Sequence, residues 1–270
     1  MTIREFIEWT AWPMQRPESY GAFHLTFLFA GLAVVALLCF LLRKSNEKAN
    51  KAILLSCGIF LIITEVYKHL FYYYVVGNGS YQWWIFPFQL CSVPMYLCLA
   101  APFLKKGRVQ DALYNFLLAF NLMSGFVSFL EPSGLTHEYY TLTWHAFVWH
   151  MMLVFIGAYL GVSGRACKKL SDYKGAIIVY GVLCVIAFSI NIILSSKPGV
   201  NMFYIGPIHN SPLIVFKEIS AKFGWYVNTP LYIACTCAAA FIFYFVFYKL
   251  KNIKMTERKD SENERKAISG

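Results

Sequence analysis

Seven separate apolar blocks, each about 20 residues long and so each the length of a bilayer-crossing helix, constrain this 270-residue chain more than any other feature. They run Ala22–Leu42, Ala52–Val76, Trp84–Leu104, Ala112–Leu130, Trp144–Ser163, Gly175–Ser195 and Tyr226–Tyr248. Only helices and closed barrels satisfy every backbone polar group in lipid, and the blocks lack the period-two alternation of barrel strands. The expected fold is therefore all-α: a polytopic seven-transmembrane-helix bundle. Residues 1–21 form an N-terminal interfacial segment, 22–248 the membrane domain and 249–270 a basic tail. Composition agrees, at 58% hydrophobic and 14% charged; a soluble domain carries about 25% charge. Disorder, collagen, coiled coil and an ordinary soluble enzyme are excluded.

The net charge of +10 invites a nucleic-acid partner, but its distribution speaks against one. Eighteen of the 24 Lys and Arg lie in loops one, three and five and in the tail. Five lie on the other side, and Lys68 lies inside a span. The basic side stays in the cytoplasm, which puts the N-terminus outside and the C-terminus inside. The partners expected are membrane lipids, with the tail at anionic headgroups or solvated. No cleavable signal is expected, because residues 1–21 hold Glu5, Glu8 and Glu18 and no long apolar core.

Seven of the eight cysteines fall within spans, and Cys167 falls in an inner loop, which is neither a disulfide framework nor a zinc pattern. Thr2 and Glu5 are spaced as a capping box for a short helix whose Ile3, Phe6 and Ile7 would lie on the bilayer. Ser211, Pro212 and Gly224 suggest the start and stop of another short helix. Asn78-Gly79 reads as a tight turn, and the last dozen residues read as unstructured.

Ionisable groups inside hydrocarbon are functional candidates by default. Glu65, Lys68, His69 and Tyr72 share one helix face. They read either as a self-neutralising pair that locks helices together or as the polar wall of a buried site. In the third block Pro87 and Pro94 bracket Cys91. Either the cysteine is inert in a kinked helix, or a helix restarting at Pro87 places it near free N–H groups and a positive dipole end. His145 and His150 are five apart, which is not a zinc spacing. No nucleotide motif occurs, so neither metal nor cofactor is expected. Asn121, Asn191 and Asn228 are in-span amides that commonly join helices. At 1.5 Å per residue, Cys91, His150 and His69 lie ~9–10 Å below the outer end of their spans. A polar cluster in the outer half above a nearly dry inner half is the result.

The chain resembles the YwaF family of bacterial integral membrane proteins. The residues that carry the resemblance are His24, Glu65, Pro87-Phe88-Gln89-Leu90-Cys91-Ser92, Glu131-Pro132, His150, Asn191 and Asn201-Met202-Phe203-Tyr204. Phe86-Pro87-Phe88 departs from the family's common Leu-Pro-Leu, and Lys68 is not a family position. The resemblance implies a bacterial cell membrane. It extends to an animal relative in the same superfamily that looks like a cysteine-dependent membrane acyltransferase acting on phospholipids. By that resemblance Cys91 is the nucleophile and His150 the base. Glu65, Lys68, His69, Gln89, Asn191 and Asn201 bind substrate or support the site. The alternative function is a receptor or carrier for a small polar ligand; a purely structural polar cluster is the third.

Overall fold

The computed structural model describes residues 1–268, with the side chains of 253–268 excepted. Its helices are α1 (Ile3–Trp9), α2 (Ala22–Leu42), α3 (Glu47–Phe71), α4 (Val93–Ala100), α5 (Arg108–Phe116), α6 (Leu122–Leu130), α7 (Tyr140–Val162), α8 (Tyr173–Ile193), α9 (Phe216–Phe223) and α10 (Trp225–Ile268). No strand occurs among the described residues; one isolated bridge joins Pro13 to Tyr139. A π turn at Tyr72–Val76 prolongs α3, and another at Leu117–Asn121 fuses α5 to α6.

Six stretches are long and apolar enough to cross a membrane: Ala22–Leu42, Glu47–Val76, Arg108–Leu130, Tyr140–Val162, Leu170–Ile193 and Trp225–Asn252. The seventh expected span, Trp84–Leu104, is not one continuous helix. It comprises a 3-10 turn at Trp83–Ile85, an irregular run, the eight-residue α4 and a 3-10 turn at Ala101–Phe103. Pro87 and Pro94 cause this, since each lacks an N–H and clashes with the turn before it. The result is a half-length helix at the level where the polar residues collect.

α7 is the central post. It packs against α2, α3 and α6, and its buried residues run from Leu142 to Gly161 on nearly all sides. Glycine permits the closest of these contacts. A Cβ at Gly157 would come within 2.7 Å of the Leu122 Cβ on α6. In lipid, close backbone approach of this kind replaces the hydrophobic force between helices. The faces of α2 and α8 that bear Phe29, Leu37, Phe40, Val185 and Ile193 remain exposed, as lipid-facing sides of a bundle must.

Helix ends follow local chemistry. The Thr2–Glu5 capping box forms on α1. Ile7, expected on the bilayer, instead turns inward to a small second core with Phe71, Tyr72, Ile85 and Leu142. Ile3 and Phe6 stay exposed, beside Trp9. Asn78 and Gly79 both take positive φ, 46° and 86°, as a tight turn requires. α9 begins at Phe216 rather than at Pro212 and stops at Gly224, whose φ is 77°. The tail expected to be unstructured continues α10 to Ile268; its contacts with headgroups lie outside the described side chains.

Candidate functional site

The polar wall comes from the last two turns of α3. Glu65 is 4% exposed, Lys68 20% and His69 18%, so all three face protein. The Lys68 ammonium donates to both Glu65 oxygens, at 2.7 and 2.9 Å. His69 Nε2 lies 3.1 Å from Glu65 Oε1, and with an ionised carboxylate that nitrogen must donate. Its Nδ1 lies 3.2 Å from the Tyr81 hydroxyl, and the two rings stack at 5.6 Å and 5°. Glu65 thus accepts three hydrogen bonds, and a relay runs from Tyr81 through His69 to Glu65. Tyr81 sits in a loop and gave no sequence signal.

Cys91 lies on the irregular run just before α4, one residue ahead of its N-cap Ser92. The helix restarts at Val93, not at Pro87, so Cys91 is not a helical residue and a helical rise does not set its depth. The residue nevertheless immediately precedes the N-cap, at the positive end of a helix. Two carbonyls of this non-helical run accept from side chains instead of from backbone N–H groups. The Tyr96 hydroxyl donates to the Pro87 carbonyl at 2.8 Å. The Trp149 indole donates to the Cys91 carbonyl at 3.1 Å. Irregular backbone inside a bundle persists where protein supplies such partners. Cys91 itself is half-buried.

Trp149 joins the two halves of the site. Lys68 Nζ stands 5.9 Å from its ring centroid, within cation–π range, and His145 stacks on it at 5.4 Å. The buried His145 Nε2 has no hydrogen-bond partner. His150, next along α7, makes no hydrogen bond to Cys91. Its Nδ1 sits 2.8 Å from the Ala146 carbonyl. A carbonyl only accepts, so Nδ1 carries the proton and Nε2 carries the lone pair. That is the tautomer a base needs.

Three amides singled out from sequence form one clamp. Asn191 donates to the Met202 carbonyl at 3.0 Å and accepts from the Met202 N–H at 2.6 Å. Asn201 donates to the His209 carbonyl at 2.8 Å and accepts from Gly206 N–H at 2.8 Å. Gln89 donates to the Asn201 carbonyl at 3.0 Å and accepts from Phe203 N–H at 2.9 Å. Between them Phe203 and Tyr204 hold left-handed φ of 56° and 57°, a conformation that persists in L residues only when surroundings over-determine it. A Cβ at Gly206 would sit 2.9 Å from Asn201 Oδ1, so the clamp closes only around glycine. These amides tie the loop after α8 to the turn that carries Cys91.

The opposite end of the bundle is less dry than expected. Asn50 bonds the hydroxyls of Tyr114 and Tyr159 at 3.2 and 3.0 Å. Asn115 Oδ1 accepts from Cys167 N–H at 2.8 Å and from the Tyr244 hydroxyl at 3.3 Å. Arg165 donates to the Ser45 and Asn46 carbonyls. These groups are spent on one another and brace loops. In that end, burial also pushes the Cys167 thiol up, which leaves it inert. Among the described residues no three His, Cys, Asp or Glu side chains are placed to hold a metal. In the loop before α7, burial first, and then the charges of Arg16 and Lys68, lower the His137 pKa to about 4.

The TMEM164 family model matches residues 19–250, which covers the whole bundle and both clusters. No curated protein and no solved structure gives a significant match. With six membrane-length apolar helices and a family match over most of its length, the chain is an integral membrane protein that belongs to the TMEM164 family.

Proposed function

We propose that this protein transfers fatty acyl groups between membrane lipids through Cys91 and His150. One observation carries the reading: Cys91 occupies a non-helical turn at the positive end of α4, and Trp149 hydrogen-bonds that turn to α7, beside a His150 whose Nε2 is left as a base. The YwaF resemblance supports it and with it a bacterial cell membrane, and the bias of Lys and Arg supports an outward-facing N-terminal side for the site. The broken 83–103 segment completes seven passes.

In this mechanism His150 Nε2 takes the thiol proton, and the Cys91 thiolate attacks the ester carbonyl. The tetrahedral oxyanion forms near the Ser92 hydroxyl and the Val93 N–H at the start of α4. It collapses to a thioester as the leaving alkoxide takes the proton back from His150. An acceptor hydroxyl then gives its proton to His150 and attacks the thioester, and the acceptor's ester and the free thiol result. Glu65, Lys68 and His69 line the approach, while Gln89, Asn191 and Asn201 position the Cys91 turn.

The test is transfer of a labelled acyl chain between phospholipids by the purified protein in detergent. Cys91→Ala should abolish transfer while the protein stays folded. His150→Gln should lower it about 10²–10⁴-fold. Undiminished transfer by Cys91→Ala would remove the mechanism. The second reading, a receptor or carrier for a small polar ligand, is favoured by one observation: no hydrogen bond joins Cys91 to His150.

A further inference from the structure

Gln89 stands two residues before Cys91, and its amide grips the Asn201 carbonyl and the Phe203 N–H. The turn that carries Cys91 and the turn that carries Tyr204 are therefore clasped together. The Phe203 ring fills the space between Phe88 and Tyr180, nearly parallel to both, with centroids 5.8 and 6.1 Å away. Past Tyr204, the Gly206 N–H is fixed on Asn201 Oδ1. The backbone is pinned on both sides of Tyr204, and it holds that residue at a left-handed φ of 57°. Residues kept in such conformations gather at active sites.

No protein group uses the Tyr204 hydroxyl. It makes no hydrogen bond to any described residue. Burial, and then the Cys91 sulfur, push its pKa up to about 12. The phenol thus keeps its proton at neutral pH and lies within electrostatic reach of the thiol. Tyr232 on α10 faces both groups as well, but its phenol meets the Thr236 side chain. Cys91, His150, Tyr204 and Tyr232 are all set deep in the protein, yet each keeps some accessible surface. They border a gap within the bundle, and an ester carbonyl brought to the thiol would enter it. A buried donor without an acceptor is costly. An oxyanion hole consists of such donors, aimed at charge that appears only during reaction.

We propose that Tyr204 is a catalytic residue whose hydroxyl donates a hydrogen bond to the tetrahedral oxyanion formed at Cys91. The role rests on the acyl-transfer reading and adds to it a donor from the loop after α8, facing those of the α4 turn. The phenol keeps its proton throughout. It holds the negative oxygen once the S–C bond has formed, and lets it go as the C=O bond re-forms and the alkoxide leaves.

The experiment compares Tyr204→Phe with the wild type, both full-length in detergent, by three measurements. These are transfer of a labelled acyl chain between phospholipids, alkylation of Cys91 by iodoacetamide read by mass spectrometry, and the thermal midpoint. Transfer should fall about 10²–10³-fold, the cost of one lost oxyanion donor. Alkylation displaces iodide and forms no oxyanion, so its rate should not change. The midpoint should not change either, because the hydroxyl bonds nothing in the fold. Undiminished transfer would overturn the role. So would slowed alkylation, which would place the defect in the thiol or its turn, and so would a lowered midpoint, which would show the hydroxyl spent on structure. Transfer that survives Cys91→Ala would remove the Cys91 mechanism and this role with it. Transfer that is lost in Cys91→Ala but unchanged in Tyr204→Phe would remove this role alone.

Discussion

Glu65 is the residue on which the buried wall depends, because it alone accepts from Lys68 twice and from His69 once. Removing one partner of a buried pair leaves an uncompensated charge and costs about 3–5 kcal/mol. Glu65→Gln should therefore lower the thermal midpoint in detergent, and adding Lys68→Met should restore most of it. A single variant as stable as the wild type would show that Lys68 is not held by this pair. His137 gives a pH signature. Its folded pKa of about 4 lies below its ordinary 6.5, so the unfolded chain binds the proton first. Stability should be full above about pH 6.5, fall as pH drops toward 4, and flatten in His137→Gln; denaturant titrations at several pH values check it. A wild-type protein whose stability rises on acidification through that window would contradict the burial of this histidine.

Among the elements, the turn between α8 and α9 shows how much depends on side-chain amides. Asn201→Ala removes the acceptor for Gly206 N–H and the donor for two carbonyls. Unsatisfied buried groups cost about 1–3 kcal/mol each. The variant should be cut faster by trypsin at Lys197 or Lys217 than the wild type, and unchanged cleavage would mean that the clamp does not order the loop. α4 illustrates the limits of pattern reading. Pro87 and Pro94 are plain in the sequence, and a kink follows from either. That the run from Phe86 to Ser92 can stay non-helical depends on two side chains that bond its Pro87 and Cys91 carbonyls: Tyr96, one turn into α4, and Trp149, on α7. The same tertiary bonds decide where Cys91 sits.

For the whole molecule the outstanding question is direction. A reporter fused after Lys251 should be active only in the cytoplasm, because 18 Lys and Arg lie in the tail and the loops on its side against five on the other. An external signal would turn the bundle over and put the Cys91 turn in the inner leaflet. Helix existence, approximate span limits, the α1 capping box and the Asn78-Gly79 turn were legible in the amino-acid sequence. Each rests on short-range rules: apolar length, cap chemistry and the φ that glycine and asparagine tolerate. So was the shared face of Glu65, Lys68 and His69, because helical periodicity sets it. Tertiary structure alone decided the rest. It joined Tyr81 to His69, Trp149 to Cys91, and Gln89 to a loop more than a hundred residues away. These contacts join groups far apart in the chain, and their partners are chosen by which buried donors and acceptors remain unsatisfied once the helices have packed.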